Sequence, residues 1–104
     1  MSARDIFHQT VKTALQKDGW TIMADPLRLE VGGIDVSIDL AAERLIAAER
    51  EGQSIAVEVK SFLEGTSAIS TFHTALGQFL NYRAVLRIDS PERELYLAIP
   101  ISAY

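Results

Sequence analysis

No cysteine occurs in the 104 residues, which excludes disulfides and thiolate metal sites and suits a reducing, cytoplasmic setting. No apolar run approaches the roughly 18 to 20 residues that a bilayer span requires. The longest, around Ser54 to Val59, has only strand length, so no membrane partner is expected. The N-terminal "MSARDIFHQTVK" lacks a basic segment leading into an apolar one, so it is not a secretory signal. Positive charge is also scarce: 10 Lys and Arg stand against 14 Asp and Glu, for a formal net charge of −4. Affinity for nucleic acid comes largely from cations that neutralise phosphates. An acidic chain therefore needs a local patch, a metal or a partner chain to hold DNA. Seven of the ten basic residues are Arg, the better bidentate partner of phosphate, but they form no run. Repeats, low-complexity segments and linkers are absent too.

What is present is an ordinary globular balance, 48% hydrophobic and 23% charged. The length holds one core of ordinary size, so residues 1–104 are expected to form a single domain.

Helical period opens the chain. Phe7, Val11, Ala14 and Leu15 recur on one face, which predicts a helix over about Ala3 to Lys17. Ser2 and Asp5 fit a capping pair at its start, and Gly19 in "DGW" suits a left-handed stop. From Trp20 the period becomes two. "WTIM" and "LRLEV" flank an Asp25-Pro26 turn, and Gly32-Gly33 marks a second reversal. "IDVSIDL" alternates, with Val36, Ile38 and Leu40 on one face and Asp35, Ser37 and Asp39 on the other. "RLIAAE" and "SIAVEVKSF" are strand candidates around a turn at "REGQ". Ser67 to Arg87 returns to helical period, with Ile69, Phe72, Leu76, Phe79 and Leu80 in a broad apolar band. "SPER" breaks it, and "ELYLAIP" is a last strand. The expected order is helix, three or four strands, helix, strand: an α/β fold with a mixed sheet flanked by helices.

Glu58 and Lys60 stand inside the strand "SIAVEVKSF". Alternation puts them on one face with Ala56, opposite Ile55, Val57 and Val59. The bland reading is a solvated strand face. The sharper one joins them to Asp39, 19 positions before Glu58. If the strands form a meander, the two carboxylates converge on one hard cation, since Mg2+ uses one or two protein carboxylates plus water and substrate phosphate. Lys60 would then stand beside the ion, to orient or deprotonate the attacking water and to steady charge on the phosphate. Asp35 and Glu43 are rivals of Asp39 for the metal, sharing its face if the strand runs on unbroken.

This Asp…Glu-x-Lys set resembles the PD-(D/E)XK nuclease superfamily, whose restriction endonuclease-like core has the same order of elements. The usual proline before the aspartate is replaced here by Ile38. "GQFLNY" adds Gln78 and Tyr82, one helical turn apart, which match the Gln-x-x-x-Tyr signature of the superfamily's RecB-like branch. The resemblance implies that Gln78 and Tyr82 line the active site and position Lys60 or the phosphate. It further implies that His8, on the first helix, helps Asp39, Glu58 and the carbonyl of Val59 to bind Mg2+ or Mn2+. A half-buried structural role is the other reading of His8. His73 is read as a surface residue.

Across the whole chain, "VKTALQKDGWTI", "DPLRLEVGGIDVSIDLAAERLIAAE", "IAVEVKSF", "ALGQFLNYR" and "LYLAIP" are similar to the XisH family, the fdxN element excision controlling factors of cyanobacteria. That resemblance implies a factor required for programmed excision of a DNA element, in which a separate recombinase cuts and rejoins the DNA. It implies a companion protein, XisI, and DNA at the element boundaries or branched DNA as a partner. Two activities fit: a metal-dependent endonuclease, or a non-catalytic accessory factor that reuses the nuclease fold. Family chains continue past the last strand, so this one is expected to lack a C-terminal tail and to pair as a homo-oligomer through the surface left open.

Overall fold

The computed structural model describes residues 3–45, 52–60 and 68–100. Expectations that fall on Ser2, the side chains of Asp5 and Ile69, the strand beyond Leu45 and the turn at 50–51 lie outside these residues. Helix α1 spans Ala3–Lys17 and ends as the glycine suggested. Gly19 has φ of 91°, its N–H donates to the Gln16 carbonyl, and the Trp20 N–H donates to the Leu15 carbonyl. These two bonds satisfy carbonyls that the last turn would otherwise leave unpaired.

Five strands follow: β1 (Thr21–Ala24), β2 (Leu27–Val31), β3 (Ile34–Ile38), β4 (Leu40–Leu45) and β5 (Gly52–Val59). Then come α2 (Ala68–Asp89) and β6 (Glu94–Ala98). The main sheet has the order β1-β4-β5-β6, antiparallel from β1 to β5 and parallel between β5 and β6. The fold is therefore mixed α/β. Five strands lie between the helices where three or four were expected, and two of them, β2 and β3, form a hairpin of their own. Its two-residue turn, Gly32-Gly33, has both φ angles positive, the backbone a type I′ turn demands.

Period two misled at one point. Ile34 to Leu40 reads as a single strand, but the chain breaks at Asp39, where it leaves the hairpin and enters the main sheet. Ile38 and Leu40, expected on one face, lie in different cores. Leu40 packs with Trp20, Ala42, Ile55, Val57 and Val59 beneath Phe7, Val11 and Leu15 of α1. Ile38 packs with Ala56 and Leu86, against Leu27, Leu29 and Val36 of the hairpin and Tyr82 of α2. The sheet is thus covered on both faces, α1 on one and α2 with the hairpin on the other.

The apolar band of α2 is also turned. Ala75 and Leu86 are buried and Phe79, Tyr82 and Val85 half-buried, whereas Phe72, Leu76 and Leu80 are exposed. Leu86, 1% exposed, is the plug between α2 and the hairpin. Leu86→Ala is expected to cost about 2–4 kcal/mol through lost burial and a cavity. A urea titration should read this as a lower midpoint at unchanged slope, and a loss below about 1 kcal/mol would contradict this packing.

Candidate active site

β5 is the strand that builds the site. Its register pairs Ala56 with Leu95 and Glu58 with Leu97 across β6, and Ala56 faces the core under α2. Alternation sends Glu58 to that same side. It is 4% exposed, so the solvated-face reading of this strand is overturned. A buried carboxyl demands partners, and they come from the bend at residue 39.

β4 begins alongside Val57, leaving the last residues of β5 unpaired with β4 on that side. Asp39 takes the place of the missing ladder. Its carboxylate Oδ2 accepts the Val59 N–H at 2.8 Å, while its own N–H donates to Glu58 Oε1 at 3.3 Å. The two carboxyl groups lie close enough for each to act on the other's ionisation. Burial, then the nearby Asp39 side chain and its charge, push Glu58 up to about 8, against a smaller pull downward from the Lys60 charge. Near neutrality Glu58 therefore favours its protonated form, since two close carboxylates in a dry site resist ionising together.

Lys60 follows directly. Its N–H donates to the Ala98 carbonyl at 2.9 Å, carrying the parallel ladder one residue past β5 and fixing the base of its side chain. From α2, the Tyr82 hydroxyl stands near Glu58; burial first, then the charges of Glu58 and Asp39, raise it above the ordinary tyrosine value. It stays a donor throughout the neutral range. Gln78, one turn earlier and so on the same helical side, has a buried Oε1 with no partner among the described residues. Buried amide oxygens are rarely left so.

Four of the sequence-derived residues, Asp39, Glu58, Lys60 and Tyr82, are thus brought together, with Gln78 beside Tyr82. His8 is not among them. Its Nε2 lies 2.8 Å from Asp25 Oδ1, and Lys12 Nζ lies 2.8 Å from Asp25 Oδ2. Partial burial alone would raise the Asp25 carboxyl, but the bonds from Lys12 and His8 hold it below the ordinary range. No spacing in the sequence pointed to Asp25. Among the described residues, no three His, Asp or Glu side chains gather as a metal group. The rivals of Asp39 stand elsewhere. Asp35 is exposed and faces Glu30 across the hairpin. Glu43 lies opposite Ser54, bonded to its hydroxyl and 3.9 Å from Arg93, about 13 Å along β5 from Glu58 at the usual strand rise. His73 is exposed, as expected.

The XisH protein family matches residues 1–104. Among solved structures, an XisH family protein from Nostoc punctiforme PCC 73102 is 61% identical, with a TM-score of 0.83. The match covers 95% of this chain and 72% of that one. A fdxN element excision controlling factor protein from Anabaena variabilis is 59% identical over 97% of this chain and 73% of its own, also with a TM-score of 0.83. No curated protein matches.

Proposed function

The chain belongs to the XisH family, and from that premise we propose that it is a divalent-metal-dependent DNA phosphodiesterase of the PD-(D/E)XK kind, working in excision of a DNA element. The observation that carries the reading is the buried Glu58 carboxyl beside the part-buried Asp39 carboxylate, tied together through the Asp39 N–H and to the end of β5 through the Val59 N–H. Such a pair is a set of hard oxygen donors, and Mg2+ or Mn2+ fits it by replacing the Glu58 proton, with water and phosphate completing the shell. Bound there, a cation would supply positive charge beside the phosphate and lower the pKa of a bound water.

The chain's own residues do the rest. Asp39 and Glu58 hold the cation, each oriented by a backbone N–H or by the Tyr82 hydroxyl. Lys60 holds the attacking water and offers positive charge to the phosphate. Gln78 Oε1, which has no partner among the described residues, is the acceptor that would point the Lys60 ammonium in the working site. His8 is left out, since Asp25 holds its ring.

The test is incubation of linear, nicked and branched DNA with Mg2+ or Mn2+, wild type beside Asp39→Ala. Cleavage by wild type alone is expected; equal product from both sinks the reading. A second reading is an accessory factor that binds a companion such as XisI or a second copy of itself. It is favoured by the exposed Phe72, Leu76 and Leu80 of α2, at i, i+4 and i+8, the spacing of a helix-in-groove contact. No described helix is long and apolar enough to cross a membrane.

A further inference from the structure

Three of the seven arginines meet in one groove. It lies between the second half of α2 and β6, the last strand in the sheet, holds about 350 Å³, and is lined by Arg83, Arg87 and Arg93 with Phe79, Glu94 and Tyr96. Arg83 and Arg87 are exposed, one helical turn apart, with no carboxylate in ion-pair range among the described residues. Arg93 is anchored: its Nη1 donates to the Ile55 carbonyl at 3.1 Å and its Nη2 lies 3.9 Å from Glu43. The one acid in the wall, Glu94, accepts the Tyr96 hydroxyl at 2.8 Å. Even with Glu43 set against Arg93 and Glu94 in the wall, the unpaired Arg83 and Arg87 make this a local positive surface on a chain of net charge −4. Planar guanidiniums suit phosphate oxygens better than any other cation in proteins.

The groove also lies in line with the candidate site. Glu58 is level with Leu97 on β6, and the groove begins three residues earlier, at Glu94. That is about 10 Å at the usual strand rise, or about three nucleotides at 3.4 Å per step along one strand. Arg83 adjoins Tyr82 on α2.

We infer that this groove is the docking track for the phosphodiester backbone of DNA, with Arg83 and Arg87 neutralising successive phosphates within about three nucleotides of the bond at the Asp39–Glu58 pair. The track rests on the reading of the chain as one that works on DNA.

The experiment measures binding of a short fluorescent DNA duplex in EDTA, so that no cleavage intervenes. The full chain is compared with Arg83→Ala/Arg87→Ala, Arg83→Lys/Arg87→Lys and, as a control, Arg28→Ala on the hairpin. The double alanine variant should bind about 10- to 100-fold more weakly. Its slope of log affinity against log salt should be smaller by about 2, one unit per lost phosphate contact. The lysine pair should keep most of that slope, and Arg28→Ala should match wild type. Failure of wild type to bind, an unchanged slope in the folded double alanine variant, or an equal loss in Arg28→Ala overturns the track. Cleavage assays separate this from the nuclease reading. Wild-type cleavage with KM unchanged in the double alanine variant removes the track alone. Arginine-dependent binding with no cleavage by wild type upholds the track and removes the nuclease reading alone.

Discussion

Lys60→Ala is expected to slow DNA cleavage about a thousandfold while leaving Mg2+ affinity unchanged or slightly tighter. The rate loss is the size seen when a positioned proton-transfer or charge-stabilising group is removed. Affinity should hold because Lys60 is no ligand in the proposed site, and its charge opposes a cation at the carboxyl pair. Asp39→Ala behaves in the opposite way and loses the cation itself. Lys60→Arg restores charge but not rate, since the larger, planar guanidinium does not fit the place of a compact ammonium beside the water. Single-turnover cleavage rates beside a Mg2+ titration separate these outcomes. A Lys60→Ala rate within tenfold of wild type would remove Lys60 from the chemistry.

Glu58→Gln should abolish a pH dependence of stability that wild type carries on its own. Glu58 binds its proton in the folded chain up to about 8 and in the unfolded chain only to the ordinary 4.5. Its stabilising contribution is therefore full below about 4.5 and is lost as pH rises through about 8. Between these limits stability falls with pH, by up to about 1.4 kcal/mol per unit. Glutamine keeps the shape of the protonated acid and does not titrate. At pH 9 the variant should be more stable than wild type by on the order of 3 kcal/mol in EDTA. Mg2+ should reverse the ranking, because it binds only the folded acid pair; a thousandfold excess over Kd adds about 4.1 kcal/mol. Urea midpoints at pH 5, 7 and 9, with EDTA and with Mg2+, are the measurement. Parallel pH profiles for the two proteins would show that Glu58 titrates normally.

Most of this site was legible as residue types, less of it as geometry. Period two in "SIAVEVKSF" correctly paired Glu58 with Ala56 on one face, but periodicity does not say which face is wet. Asp39 was found by its distance to Glu58 and its resemblance to a known pattern, yet its setting was wrong. Apolar residues on both sides, Ile38 and Leu40, concealed a break that only the separate pairing of β3 with β2 and of β4 with β5 reveals. Helix α2 was visible as a helix to within two residues at its C-terminal end, but it is apolar nearly all round. The stripe Phe72, Leu76, Leu80 is spaced like a core face, and Ala75, Phe79, Tyr82, Leu86 has the better packing. His8 went astray because its partner Asp25 sits in a turn between strands of different sheets, a contact that local spacing does not encode. The arginine groove was hidden in a similar way. Arg83 and Arg87 share a helical face, but Arg93 joins them only across the turn after α2.

The bend at Asp39 has a consequence for how this stretch can vary. Two residues apart, Ile38 and Leu40 serve opposite cores, so the bend inverts the parity of every position after it. A strand whose register slips by one residue turns its whole apolar set to the other side. Between Ile34 and Leu45 an insertion or deletion of a single residue therefore has no neutral place to go. It would turn either the hairpin or β4 inside out, or push the aspartate off the bend. Side chains here are exchangeable within limits, but the spacing is fixed as a count.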